Sequence, residues 1–380
     1  MAKKNKILVI GIMSGTSLDA IDAVLVSLSP GLKDARVQAF HSQKFHPDLR
    51  KLILKNNYPG TSSIVEICDL NIYLSHVASK LVKSLLKKAK VSAAQVSCIG
   101  YHGQTVQHLP ESHVVLDQKI TSTLQIGDGP TLAALTGIPV VNNFRTKDMA
   151  NGGGGAPLVP FVHKILFAKD KRKIAVHNLG GISNLTYLSP KKIIGFDTGP
   201  ANMLIDGLMG HLFNQSFDLG GQMAAKGKVH QPLATKFLFN EYFLKAPPKS
   251  TGREAFGGTF IRQWLNSGRA LKPEDLVATA THFTALTIID AYKRFILPHG
   301  LDEIIFCGGG AHNPVLIKTI QASLGLPCTT TEKYGIDPQA IECVVFALLG
   351  ILGFKRRLNQ IPELTGAVKA SSLGQVSWPD

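Results

Sequence analysis

The sequence has little that would staple it, carry it through a membrane or bind it to nucleic acid. Its five cysteines (Cys68, Cys98, Cys307, Cys328, Cys343) are odd in number and far apart, with no C-x-x-C pair and no His or Cys neighbour at metal-ligand spacing. This excludes a disulfide scaffold and a zinc ribbon, and it reads as reduced, mostly buried thiols in the cytoplasm. No apolar run approaches the roughly 20 residues a membrane-spanning helix needs. The longest, Val344 to Phe354, is read as a core helix. Lysines precede the apolar run Ile7 to Ile12, but that run meets Ser14, Gly15, Thr16 and Asp19 without a small-x-small cleavage site, so a strand is expected rather than a leader. Aromatics make up only 7% of the chain, and no aromatic-rich motif accompanies the lysines and arginines. The net charge of +15 is spread over short separated groups, such as Lys87, Lys88 and Lys90. A solvated basic surface with some attraction for small anions is therefore expected, and no nucleic-acid partner. The chain also lacks a G-x-x-x-x-G-K-[ST] phosphate loop, and its first Gly-rich turn is not a G-x-S-x-G nucleophile elbow.

What it does have is length and apolar content. With 380 residues and 44% hydrophobic side chains it can build two or three ordinary cores. Strand and helix patterns alternate throughout, the signature of an α/β fold. The first half is expected to run strand Ile7 to Ile12, a tight turn at Met13 to Ser17, strands Ala20 to Leu28 and Ala35 to His41, then a helix over Ser62 to Ala89 with apolar residues at helical spacing. A strand at Val96 to Tyr101, a helix at Pro130 to Leu135 and a strand at Pro139 to Asn142 follow. The second half repeats the plan: strand Lys173 to Asn178, turn Gly180 to Ser183, strands Asn184 to Leu188 and Ile193 to Asp197, a helix from Pro200, then a less regular Gly-rich stretch at Gly220 to Gly258. A helix at Leu276 to Phe295 leads into strand Glu303 to Cys307. Two copies of one pattern, each with glycines in its first hairpin, predict a duplicated fold with a cleft between halves.

Chemistry-bearing residues cluster at these turns. In Gly11-Ile12-Met13-Ser14-Gly15-Thr16-Ser17-Leu18-Asp19-Ala20-Ile21-Asp22, glycines allow close backbone approach and hydroxyls can donate to phosphate oxygens, although an ordinary hairpin turn explains the segment as well. Asn178 to Asn184, containing Gly180 and Gly181, occupies the equivalent hairpin, and two such turns can hold both ends of a polyphosphate. Phe306 to Pro314, with Gly308, Gly309 and Asn313, joins a strand to a helix and suits the adenosine end of a nucleotide, or is a simple connection. Asp197, at the end of an apolar strand, is a candidate general base; the alternatives are a helix cap, with Pro200 in the first helical turn, or a Mg²⁺ contact through water. Asn142 to Leu158, charged and then Gly-rich, reads as a substrate loop, a hinge or a linker; His102 and Gln104 follow a strand where ligand-facing residues emerge, although lone polar residues in such places are more often structural.

Taken in order, G-I-M-S-G-T-S-L-D, H-G-Q-T, Q-I-G-D, F-R-x-x-D, G-G-x-G-A-P-L-V-P, N-L-G-G-I-S-N, F-D-T-G-P, C-G-G-G-A-H-N and Y-G-I-D-P resemble the anhydro-N-acetylmuramic acid kinase family over nearly the whole chain. The resemblance implies a two-domain actin-like (ribonuclease H-like) ATPase fold: residues 1–141, completed by about 340–380, and residues 142–339 carrying the catalytic Asp and the adenosine turn. It implies ATP and Mg²⁺ as cofactors, an anhydro amino sugar as substrate and a homodimer. The reaction implied is opening of the 1,6-anhydro bond with phosphorylation of O6, in cell-wall recycling. Residues Gly15, Thr16, Ser17, Leu18, Asp19, Ala20, Ile21 and Asp22, with Gly180 and Gly181, would meet the phosphates. Gly308, Gly309 and Asn313 would lie by the nucleotide, Asp197 would deprotonate water, and Arg145, Asp148 and Glu342 would contact sugar; no metal ligand is assigned. Where family members usually show Gln, this chain has Gly154. A kinase of another sugar and a non-enzymatic actin-like ATPase are the alternative readings.

Overall fold

The computed structural model describes residues 6–15, 18–32, 34–168 and 171–380. The chain divides into two compact units, one formed by residues 1–169 with 340–380 and the other by residues 170–339.

Unit 1 opens with an antiparallel meander of β1 (Ile7–Ser14), β2 (Ala20–Leu28) and β3 (Ala35–Lys44), followed by β4 (Val96–Tyr101) parallel to β1. A ribbon of β5 (Gln104–Val115) and β6 (Gln118–Ile126) stands apart as its own two-stranded sheet, and β7 (Val140–Asn142) lies parallel to β4. The β1 run was expected to stop at Ile12, yet pairing with β2 continues through Ser14↔Ile21, and β3 likewise continues past His41 to Lys44. The long helix Ile64–Ala89 packs its Leu70, Leu74, Leu81, Val82 and Leu85 side on this sheet and ends with Lys90 in the left-handed region. The ribbon has no counterpart in the expected plan, because its half-exposed strands mix polar and apolar residues without clean alternation.

Unit 2 repeats the meander with β8 (Ile174–Leu179), β9 (Ile182–Leu188) and β10 (Ile193–Pro200), then sets β11 (Glu303–Cys307) parallel to β8 and β12 (Cys328–Thr330) parallel to β11. The sheet order β10-β9-β8-β11-β12 matches β3-β2-β1-β4-β7 of unit 1 strand for strand, so the duplication predicted from pattern alone is real at the level of topology. This is the actin-like, ribonuclease H-like α/β plan. The chain then returns to unit 1, where β13 (Gln375–Ser377) pairs antiparallel with β7 and makes its sheet six-stranded.

Two boundaries differ from expectation. Residues 142–169, expected with the second domain, fold in unit 1, since β7 joins the first sheet and helix Val159–Phe167 packs on helix Ile341–Phe354. Pro200 is not in a helical first turn: it ends β10 opposite Ile182, and the helix begins only at Asn202, after Ala201 breaks the extended conformation.

Helix Ile341–Phe354 crosses β1 and β4 at glycines. A Cβ on Gly11 would overlap the Cys343 carbonyl, and one on Gly100 the Phe346 carbonyl, while Gly350 sits directly over the Gly100 backbone. The absence of side chains lets helix and sheet backbones touch, which fixes the depth at which Glu342, in the first turn of that helix, is held. Gly100→Ala is expected to destabilise unit 1 by about 1–3 kcal/mol or more through overpacking, read as a lower denaturant midpoint with unchanged slope. An unchanged midpoint would show that the contact yields freely.

Candidate functional site

In unit 1 the β1–β2 turn presents Gly15 at the end of β1, and Leu18 turns the chain with φ 58° and donates its N–H to the Gly15 carbonyl at 3.2 Å. Thr16 and Ser17 lie outside the described residues. Leu18 and Ile21 are fully buried, so their side chains pack the core and only their backbones are at issue for a ligand. Asp19 is exposed and pairs with Arg50 at 3.3 Å, an ion pair worth about 1 kcal/mol at most. Ala20 opens β2. Asp22 differs: burial pushes its carboxyl up, against a hydrogen bond from Ser42, and its Oδ1 is buried without a hydrogen-bond partner.

A second constellation in unit 1 gathers at the Asn142 to Leu158 stretch. Arg145 donates from Nε and Nη2 to His102 Nε2 at 3.3 and 3.0 Å, and from Nη1 to the Gly155 carbonyl at 2.8 Å. Burial holds its pKa down to about 10, while the nearby Glu342 and Asp148 carboxylates favour the charged form. His102 is neutral, its pKa lowered to about 3 by burial and by the Arg145 charge. With Nδ1 2.8 Å from the Gly103 carbonyl, its Nε2 lone pair is left to accept from the guanidinium. Asp148 does not face a ligand. It is fully buried, with Oδ2 accepting the Gly155 N–H at 2.8 Å and Oδ1 accepting the Thr365 hydroxyl at 2.7 Å, so it holds the glycine loop whose carbonyl receives Arg145. Gly154 donates its N–H to the Thr365 carbonyl at 2.7 Å, and a Cβ there would meet only ordinary contacts to Thr365 and Pro110, so the loop has room for a side chain.

In unit 2 the Gly180 and Gly181 carbonyls accept the N–H groups of Ala201, Asn202 and Met203, which locks the turn to the start of helix Asn202–Phe213. Gly308, at φ 77°, lies so close to Asn178 and Leu179 that a Cβ would collide with both, and Gly309 follows beside Asn202. Asn313 is nearly buried; its Oδ1 caps helix Pro314–Leu324 by accepting from Val315 and Leu316 at 3.1 and 3.2 Å, leaving its amide N–H₂ as the group it could offer a ligand. The Gly221 backbone packs against this cap, a neighbour distant in sequence that leaves no local signal.

Asp197 sits where β10 loses register with β9, between Asp197↔Asn184 and Gly199↔Ser183. It does not cap a helix. Segment 245–252 runs alongside: the Asp197 N–H donates to the Lys249 carbonyl at 3.1 Å, Oδ2 accepts the Thr251 N–H at 2.9 Å, and the Tyr242 hydroxyl donates to the Asp197 carbonyl at 2.7 Å. The carboxyl is half-buried, and desolvation raises its pKa to about 7; the Thr251 hydrogen bond and the Lys249 charge pull the other way and lose, while Glu254 adds to the rise. Lys249 in turn is held down to about 8 by burial and by Arg294. Lys249, Thr251 and Tyr242 come from the irregular stretch where the sequence shows no periodicity to single them out. Among the described residues no three His, Cys, Asp or Glu side chains converge as a metal cage, and no helix is long and apolar enough to cross a membrane.

A group with pKa about 7 in the fold and about 3.9 unfolded keeps its proton through that window only when folded. The native state is therefore penalised as pH rises from 4 to 8, and Asp197→Asn, which still accepts from Thr251, removes the penalty. The melting temperature of Asp197→Asn relative to the parent is expected to climb across that range; a pH-independent difference would mean an ordinary carboxylate.

A sequence profile described as anhydro-N-acetylmuramic acid kinase matches residues 7–379. Similar chains bearing that name include one from Salinibacter ruber (39% identical, covering 99% of this chain and 98% of that one) and one from Clostridioides difficile (39%, 97% and 97%). A third, from Idiomarina loihiensis, is 41% identical over 96% of this chain and 97% of its own length.

Proposed function

The chain belongs to the anhydro-N-acetylmuramic acid kinase family, and on that premise we propose that it opens 1,6-anhydro-N-acetylmuramic acid with water and phosphorylates the freed O6 from ATP. The observation that carries this reading is Asp197: a half-buried carboxyl at a strand end, with a pKa of about 7 and one oxygen fixed by Thr251. A general base works best when its pKa lies near the working pH. Asp197 takes a proton from water, the water oxygen bonds to the anomeric carbon, the bond from that carbon to O6 breaks, and O6 takes the γ-phosphoryl group as ADP departs. Positioning and charge stabilisation supply the rest of the acceleration.

The β1–β2 turn, the Gly180–Gly181 turn and the Gly308 to Asn313 segment serve the nucleotide. Lys249, near Asp197 in unit 2, adds positive charge for phosphate oxygens. Mg²⁺ needs only one or two carboxylates besides water and phosphate, and Asp22, whose Oδ1 has no hydrogen-bond partner, would help to hold it. Bound there, the ion would neutralise phosphate charge. Arg145 uses three of its five N–H groups on His102 and Gly155, and the other two, with Glu342, face the sugar; Asp148 acts on Arg145 through Gly155. Peptidoglycan recycling, a cytoplasmic setting and a homodimer belong to the same proposal.

Incubation with Mg-ATP and a panel of anhydro and ordinary amino sugars, read by mass, is expected to give N-acetylmuramate 6-phosphate. Asp197→Asn is expected to lower kcat on the order of 10²- to 10⁴-fold. Near-normal turnover by this variant at every pH would remove the base assignment, and a preferred sugar without the anhydro bridge would remove the substrate assignment, with the room beside Gly154 as the place to look.

A further inference from the structure

Beneath Asp197 four polar side chains, each at most 1% exposed, form a line through the core of unit 2: Tyr292, His177, Ser183 and Thr198. The Tyr292 hydroxyl lies 3.0 Å from His177 Nδ1, His177 Nε2 lies 2.6 Å from Ser183 Oγ, and Ser183 Oγ lies 2.6 Å from Thr198 Oγ1. Thr198 Oγ1 also lies 3.3 Å from the Ser183 carbonyl. Buried hydroxyls and imidazoles are costly unless paired, so each proton here should have an acceptor. Burial keeps His177 neutral, with one N–H to place.

Thr198 donates to Ser183 Oγ, and both ring nitrogens of His177 are bonded, one to Ser183 and one to Tyr292, so every member of the line has a partner. The chain ends on Thr198, the residue at which β10 slips register against β9, immediately after Asp197. A bulge of this kind re-aims the neighbouring side chain. At the other end Tyr292 is placed by a π-helical turn, Tyr292–Ile296, that closes helix Pro273–Ala291, and its ring stacks on His177 at 5.6 Å.

We propose that the Tyr292–His177–Ser183–Thr198 chain holds the β10 bulge and thereby aims Asp197, making Thr198 a positioning residue for the base. The inference rests on Asp197 being that base. The titratable groups that face Asp197 from neighbouring segments, Lys249, Glu254 and Tyr242, are untouched by changes at Thr198, so a shift in the pH profile reports the aim of the carboxyl and not a new charge.

The test compares Thr198→Val, which keeps the shape and removes the hydroxyl, with Thr198→Ser, which keeps the hydroxyl. Thr198→Val is expected to lose kcat on the order of 10²-fold, the cost of a misplacement of about 1 Å, with KM for ATP and sugar little changed and the acidic limb of kcat/KM moved from pH 7. Thr198→Ser is expected to restore both. Independently, ¹⁵N NMR of the parent protein is expected to show His177 neutral and untitrated across about pH 5–8, as a fully bonded buried ring requires, a readout that stands even if Thr198→Val folds poorly. Parent-like kcat and pH profile in Thr198→Val, or a His177 ring that titrates in that range, would overturn the proposal. Asp197→Asn assayed in parallel separates the two readings: near-normal turnover there removes the base itself, whereas a crippled Asp197→Asn beside an unimpaired Thr198→Val removes only the positioning.

Discussion

A carboxyl group kept partly out of water, yet fixed by a single backbone N–H, is the constraint around which unit 2 is organised. Desolvation raises the Asp197 pKa, and the opposing Thr251 hydrogen bond and Lys249 charge are too weak to bring it back. An acid in that state costs stability whenever it is ionised, and a fold tolerates such a cost only where the surroundings over-determine the conformation. Three segments do this here: the edge of the β8–β10 meander, the 245–252 segment hydrogen-bonded along it, and the Tyr242 hydroxyl on the Asp197 carbonyl. The aromatic cluster behind them, in which Phe243 stacks on Phe256 and Phe237 on Trp264, supplies a packed backing that resists movement.

Unit 1 solves a different problem with the same topology. Its sheet carries a helix so close that glycine is needed at both crossing points, and that closeness sets the depth of Glu342 in the first turn of the helix. The Arg145 guanidinium is likewise held by fixed acceptors, a neutral His102 ring and the Gly155 carbonyl, the second of which depends on the buried Asp148. Preorganisation of this kind keeps a cation in one geometry without spending the charge, because neither acceptor is ionised.

The strands of both meanders were legible because buried sheet residues form short apolar runs bounded by Gly-rich turns, and their order followed from two copies of one pattern. Less legible was everything that depends on contacts distant in sequence. Residues 142–169 resemble a linker in composition, but β7 pairs with β4 and so belongs to unit 1. Pro200 has the chemistry of a helix start, yet pairing with Ile182 keeps it in the strand. Asp197 could be picked out because an acid ends an apolar strand, whereas Thr251 and Lys249, some fifty residues away in irregular chain, leave no local trace of their proximity. Asp148 shows the reverse failure: its motif suggests a ligand contact, and burial shows a brace. His177 and Ser183 read as ordinary strand residues until the fold brings Tyr292 and Thr198 to them.

Ionisation of the Asp197 carboxyl is observed directly by ¹³C NMR. With aspartate labelled at its carboxyl carbon, and the Asp197 resonance identified by its loss in Asp197→Asn, titration of the intact enzyme is predicted to give a midpoint near 7. A midpoint near 4, the ordinary value for an exposed aspartate, would contradict a desolvated base at this site.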